Sequence, residues 1–223
     1  TRLVQLGAQV IDHPVIRIEP PDDWGPVDQA LDRLTQYDWL VFSSANGVRS
    51  LLERAAARPG NSQPLAAMRI AAIGPGTADE WARYGLSAAL VPDQFRAESL
   101  AEALARVGGT RFLLARASRG REVLADQLAA AGATVEQVVV YASRDVPAAD
   151  PAVAAELAAG RIDWITVTSS AIARALVRLF GPDLRRSRLA TISPITSATL
   201  KELGHAGAAA DETYPMDGRV EAL

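Results

Sequence analysis

The sequence has no cysteine, so neither a disulfide framework nor a thiolate metal site can form. Histidine is almost as scarce. His13 and His205 are the only imidazoles, which argues against a transition-metal site and leaves no Ser-His-Asp set at a defined spacing. No uninterrupted apolar run reaches about 18 residues and no signal sequence is visible, so no membrane partner is expected and the cytoplasm is the default location. A basic excess is missing too, with 23 Lys and Arg against 26 Asp and Glu. A broad nucleic-acid surface would need the opposite balance, so no nucleic-acid partner is expected. What is present is ordinary for a soluble globule: 223 residues, 49% hydrophobic and 22% charged, enough for two domains of about 100 residues.

The positive signal is a stretch that occurs twice. Asp38-Trp39-Leu40-Val41-Phe42-Ser43-Ser44 is echoed by Asp163-Trp164-Ile165-Thr166-Val167-Thr168-Ser169. Each is a short apolar run ending in small hydroxyl residues, the pattern of a buried strand, and helical spacing follows. A strand-to-helix turn gathers free backbone N–H groups and the positive end of the helix dipole, which suits anions. The step from Asp38 to Asp163 is 125 positions, as is the step from Gly7 to Gly132. Ile73-Gly74-Pro75-Gly76-Thr77 and Ile192-Ser193-Pro194-Ile195-Thr196 stand 119 apart, as do Gly85 and Gly204. Repeats this long are duplicated domains rather than solenoid units.

In chain order, Thr1 to Gly7 reads as the end of a helix closed by Gly7. The repeat places a first strand and most of a first helix, about 20 residues by typical unit lengths, ahead of residue 1. Helices are expected at 26–36, 77–83, 97–106 and 122–131. Strands are expected at 39–42, 68–73, 88–91 and 112–115, with a polar loop over 57–64. Trp39 and Trp164 open their strands and read as core. Alternating strands and helices predict an α/β fold of two duplicated parallel-sheet, flavodoxin-like domains. One domain would be 1–13 plus 148–223 and the other, inserted, 21–137. The crossings at 14–20 and 138–147 would pair as a two-stranded antiparallel linker, with a cleft between the domains.

Three turns carry candidate chemistry. Gly74-Pro75-Gly76-Thr77 resembles a phosphate loop but has Asp79 where a dinucleotide fingerprint needs glycine, and no Lys for a P-loop. Its plain reading is a strand-to-helix turn; the echo at Ser193-Pro194-Ile195-Thr196 favours an anion contact. Arg116, Arg119 and Arg121 put three guanidinium groups after one strand. They are either a solvated charge run or a carboxylate grip, and the place of Arg116 at a strand end favours the grip for that residue. Tyr141, whose repeat partner is Ile16, is the only tyrosine in either crossing. A tyrosine there reads first as packing. Its place beside the expected cleft keeps it as a proton donor or hydrogen bonder.

Val41 to Val48, the Ala72 to Ala78 turn, Leu113 to Leu124, Gly132 to Val135 and Val140-Tyr141 together resemble the uroporphyrinogen-III synthase family in order and spacing, over nearly the whole chain. The resemblance implies closure of the linear tetrapyrrole hydroxymethylbilane to uroporphyrinogen III, with inversion of the last ring and loss of water, in haem biosynthesis. It implies no metal and no cofactor, and a tetrapyrrole small molecule as the partner; a monomer is expected. Carried over, Ser43, Ser44, Asn46, Gly74, Gly76 and Thr77 would bind substrate from one domain. Ser169, Ser193, Ile195 and Thr196 would bind it from the other, with Arg116 as the charged grip. Tyr141 matches the family's linker tyrosine and would be the catalytic residue that helps the hydroxyl leave. Two departures stand out: the Thr-Arg-Pro turn of the family's first strand is absent, and Ser193 stands where the family has glycine. A positive φ at Ser193 would strain it. The rival is a non-catalytic two-lobed sensor or binding protein for an anionic small molecule, which would have no need of Tyr141. A nucleotide-dependent transferase is disfavoured by the broken fingerprint.

Overall fold

Trp39–Phe42 is buried at all four positions, which only a strand covered on both faces allows. In the computed structural model, which describes residues 2–58, 63–205 and 209–210, it is the second of eight strands. The order is α1 (Arg2–Gln5), β1 (Ile16–Glu19), α2 (Gly25–Asp32), β2 (Trp39–Phe42), α3 (Ala45–Ala56), α4 (Gln63–Ala66), β3 (Arg69–Ala72), α5 (Pro75–Ala82) and α6 (Ala97–Val107). Then follow β4 (Arg111–Ala117), α7 (Val123–Ala130), β5 (Thr134–Asp145), α8 (Pro151–Ala158), β6 (Trp164–Val167), α9 (Ser170–Phe180), β7 (Arg188–Thr191), α10 (Pro194–Glu202) and β8 (Ala209–Ala210). The chain forms two compact units, one spanning Ile18–Ser143 and one built from the segments on either side of it.

In the first sheet the order is β1-β5-β4-β2-β3, and β2 pairs parallel with both β3 and β4. Alternation then sends β2 residues to two cores. Leu40 and Phe42 pack with Leu31 of α2, Leu51 of α3 and Trp81 of α5, the Phe42 ring meeting Trp81 edge-on at 5.0 Å. Trp39 and Val41 pack on the other face with Leu100 and Leu104 of α6 and Leu128 of α7. Each such large side chain contributes about 1.5–3 kcal/mol by leaving water. Helices on both faces of a parallel sheet are what the alternating pattern predicts. The second sheet, β6-β7-β8, is also parallel and packs Val167 and Leu189 with Leu176, Leu184 and Leu200.

Local geometry recurs at the repeat positions. Gly7 and Gly132 have φ of 90° and 88°, and each closes its helix with the same pair of backbone bonds: Gly7 to Val4 and Ala8 to Leu3, Gly132 to Ala129 and Ala133 to Leu128. Gly85 and Gly204 also share a positive φ. Arg69 stacks on Trp39 at 4.8 Å as Arg188 does on Trp164 at 5.4 Å, in both cases from the residue's own cross-strand register partner.

Several expectations need correction. Trp164 is half-buried, not core, because β6 ends its sheet order and has no strand on its other flank among the described residues. Residues 88–91 form no strand; they make one bridge, Leu90 with Ala71. The helix expected over 26–36 stops at Asp32 and resumes as a 3₁₀ turn at Leu34–Gln36. β5 begins at Thr134, and its residues up to Tyr141 run parallel to β4, so the first part of the 138–147 crossing also belongs to the sheet. The expected polar loop at 57–64 falls partly on residues 59–62, and the end of the expected 148–223 domain on residues 206–208 and 211–223, outside the described residues.

Candidate active site

The site is built where β2, β4 and β5 end. Ser44 follows β2 in extended backbone and caps α3, its Oγ accepting from the Gly47 N–H at 3.1 Å. Beside it, the pairing of β4 with β5 slips between Arg116 and Ala117, so that Arg116 faces Val139 but Ala117 faces Tyr141. The slip leaves Val140 as an extra residue and breaks the strand's alternation. Val139 points outward, yet Tyr141, two positions on, is only 8% exposed and shares a core cluster with Val138 and Val140. Its ring is therefore packing, as any strand tyrosine would be, while its hydroxyl reaches Ser44 Oγ at 3.0 Å.

Ser43, Ser44, Arg116 and Tyr141 line one cavity of about 240 Å³ in the Ile18–Ser143 unit. Arg119, Arg121 and Gln137 line it as well. The two arginines were visible in the sequence as part of the charge run; Gln137 was not, because it arrives from β5 across the register with Leu114. Asn46, Gly74, Gly76 and Thr77 are not part of the lining, although neighbouring Ile73 is.

None of the three guanidinium groups stands unpartnered. Arg116 donates to Glu122 and to Gln137 Oε1 at 2.8 Å, and Glu122 in turn accepts from Gln137 Nε2 at 2.9 Å. The Arg116 bond, then the Gln137 bond, hold the Glu122 carboxyl below the usual carboxylate range. Arg121 donates to Glu98 at 2.8 Å and lowers that carboxyl too, while Arg119 donates to Ser143 Oγ at 3.2 Å. Arg116 is thus an ion-paired residue at the cavity. Its charge is shared with Glu122, and an incoming carboxylate would meet a cation already half-satisfied.

The Gly74 turn caps α5 with extended backbone, φ −173°, and no side chain. Pro75 has no N–H, so the Gly76 N–H is the first backbone donor of the helix. Thr77 is buried, its N–H bonded to Gly74 O at 3.1 Å. The other unit repeats the arrangement. Ser193 caps α10, accepting from the Thr196 N–H at 3.2 Å, with Pro194 following and Ile195 half-exposed. Ser193 has φ −154°, an extended conformation open to any residue, so a serine there carries no strain. Ser169 caps α9 in the same way, accepting from Ile172 at 3.2 Å.

The two glycines of the first turn should respond differently to alanine. A Cβ on Gly74 would come within 3.2 Å of Phe95 Cβ and Cγ, whereas one on Gly76 meets nothing within 4 Å. Gly76→Ala should raise the unfolding free energy by about 0.4–1 kcal/mol through the unfolded chain, and Gly74→Ala should lower it by about 1–3 kcal/mol. Urea unfolding of the two variants checks the pair; equal shifts would remove the Phe95 contact from the account.

Among the described residues no group of three or more His, Asp or Glu could hold a metal ion, and no helix is long and apolar enough to cross a membrane. Comparison with known proteins places this geometry. The family model of uroporphyrinogen-III synthase HemD matches residues 1–221. A uroporphyrinogen-III synthase of Synechococcus elongatus is 36% identical over all of this chain and 88% of its own length. The fold matches the crystal structure of a mutant uroporphyrinogen III synthase from Thermus thermophilus, with TM-score 0.68 and 20% identity over 98% of this chain and 89% of that one. It also matches the enzyme of Helicobacter pylori, with TM-score 0.67 and 20% identity over 93% and 88%. The chain belongs to the uroporphyrinogen-III synthase family.

Proposed function

We infer that this protein closes hydroxymethylbilane into uroporphyrinogen III, a cyclising lyase reaction that releases one water. Family membership supports the reaction. The single observation that supports its chemistry is the Tyr141 hydroxyl, held 3.0 Å from Ser44 at a cavity that three guanidinium groups line. Tyr141 is the catalytic residue in this reading. The hydroxymethyl C–O bond breaks, its electron pair leaves with oxygen, and the phenol proton completes the water. The azafulvene cation left behind is attacked by the substituted α-carbon of the last pyrrole. The bond that joined that ring to its neighbour then breaks to leave a second azafulvene, which the ring's free α-carbon attacks, and the proton lost there restores the balance. Holding the chain in one shape supplies most of the acceleration, since a well-placed intramolecular closure is worth several kcal/mol. Ser43, Asn46, Gly74, Gly76 and Thr77 bind substrate carboxylates at the turns that open α3 and α5, and Ser169, Ser193, Ile195 and Thr196 do so at the turns that open α9 and α10 in the other unit. Arg116 assists with the charge that Glu122 leaves it.

The same reading takes the two units as copies of one domain joined by crossings at 14–20 and 138–147 that pair antiparallel. The matched glycines, caps and Arg–Trp stacks support it. A non-catalytic binding protein would share the turns but have no use for the phenol. The test is to supply freshly made hydroxymethylbilane and separate the oxidised products. Spontaneous closure gives isomer I, so isomer III above the blank is expected; isomer I alone would overturn the assignment.

A further inference from the structure

The hydrogen bonds around Ser44 have a direction that the distance alone does not give. Its Oγ already accepts from the Gly47 N–H at 3.1 Å, which leaves one lone pair and one hydrogen. Its one other partner among the described residues is the Tyr141 hydroxyl at 3.0 Å. If the phenol were the donor, Ser44 would accept twice and its own hydrogen would have no protein acceptor. If Ser44 is the donor, its hydrogen rests on the phenol oxygen and the phenol's own hydrogen is the one left over, pointing away from Ser44, toward the cavity, so each arrangement leaves one hydrogen without a protein acceptor. The helix that Ser44 caps favours the second arrangement. Ser44 caps a helix of twelve residues, so the positive end of the α3 dipole lies beside the phenol oxygen and favours negative charge there. Position 47 is glycine, and a Cβ there would come within 3.3 Å of Ser44 Oγ, so the hydroxyl has room only because that side chain is missing.

We propose that Ser44 is a positioning residue for Tyr141: its hydroxyl donates to the phenol oxygen, so the phenol's own hydrogen is presented to the departing hydroxyl of the substrate. As the C–O bond breaks and the phenol proton joins the leaving oxygen, the Ser44 O–H holds the phenolate until the proton released on ring closure replaces the one given up. Ser44 thus acts through Tyr141 and not on the substrate, unlike Ser43, which the same cavity exposes without a bond to the phenol. The inference rests on the assignment of Tyr141 to the leaving group.

Steady-state formation of isomer III from hydroxymethylbilane tests it with Ser44→Gly, Ser44→Thr, Tyr141→Phe and the double variant Ser44→Gly/Tyr141→Phe. Glycine is nearly as good a cap as serine, so Ser44→Gly removes the donor while keeping α3. Its kcat should fall about three- to tenfold, the scale of one hydrogen bond made in the transition state, with KM changed less than about twofold. Ser44→Thr, which keeps the hydroxyl, should restore most of that loss. In the Tyr141→Phe background Ser44→Gly should cost nothing more. An equal loss in both backgrounds, or a loss confined to KM, would overturn the proposal. Tyr141→Phe with wild-type turnover would also overturn it, but that result is visible without any Ser44 variant and would refute the phenol assignment itself.

Discussion

Tyr141→Phe should fold normally and lose at least about tenfold in turnover, the low end of what general-acid help supplies. The structure separates the two roles of this side chain. The ring sits in the core with Val138 and Val140, and phenylalanine keeps that packing. The hydroxyl contributes one hydrogen bond, to Ser44, whose own residue is only part-buried and can turn to water. Stability should therefore change by no more than about 1 kcal/mol. Isomer III should remain the product, because the shape of the bound bilane, not the phenol, decides which pyrrole carbon closes. The measurement is kcat for isomer III against the blank, with an unfolding curve on the same preparation. Unchanged turnover would return Tyr141 to a packing role, and isomer I made faster than the blank would show that the phenol steers closure.

How much of this was readable in the sequence depends on how local the cause is. The four-residue strand Trp39–Phe42 was legible because a run covered on both faces is apolar throughout. Gly7, Gly85, Gly132 and Gly204 were legible because each ends a helix at positive φ, where glycine is the default. The two-face partition of Leu40 and Phe42 from Trp39 and Val41 follows from the same run. What sequence reasoning missed is set by contacts between strands. The slip that turns Tyr141 inward depends on β4 pairing with β5, and no residue near Val140 announces it. The second hydrogen-bond partner of Arg116 is Gln137, twenty-one positions away and brought close by that same pairing. The half-exposure of Trp164 follows from its strand's place at the end of a sheet order, not from its own neighbours in the chain. Ser193 shows the reverse error. An expectation of strain arose from residue type alone, where the cap needs only extended backbone.

The largest effect on stability is expected at Gly109, far from the chemistry. Its φ is +123°, outside the region where side-chain-bearing residues are at ease. A Cβ there would stand 2.8 Å from Trp39 Cδ1 and 3.0 Å from Nε1. The indole cannot simply step aside. It is 3% exposed, its Nε1 donates to Gly108 O at 2.9 Å, and Arg69 covers its face. The next residue along, Thr110, gives its N–H to Asp38 at 2.6 Å, and Arg111 does the same at 3.0 Å, so the backbone is tied as well. Those two bonds are the main reason the Asp38 carboxyl lies below its ordinary range. Gly109→Ala must therefore strain its own dihedral, at about 1–3 kcal/mol, and overpack a fixed indole, at about 1–3 kcal/mol more. Against the 5–15 kcal/mol of an ordinary domain this is a large fraction. Gly108→Ala is the matched control: its φ is +77° and a Cβ there meets nothing within 4 Å, so only the backbone strain of about 1–3 kcal/mol applies. Urea unfolding should place the Gly109 variant about 1–3 kcal/mol below the Gly108 variant. Below its midpoint the Gly109 variant should turn over substrate at the normal rate, because Ser43 and Ser44 lie at the opposite end of β2 from Trp39. Two variants of equal stability would mean that the indole yields, and that the packing of Trp39 against this turn holds β2 less firmly than its contacts indicate.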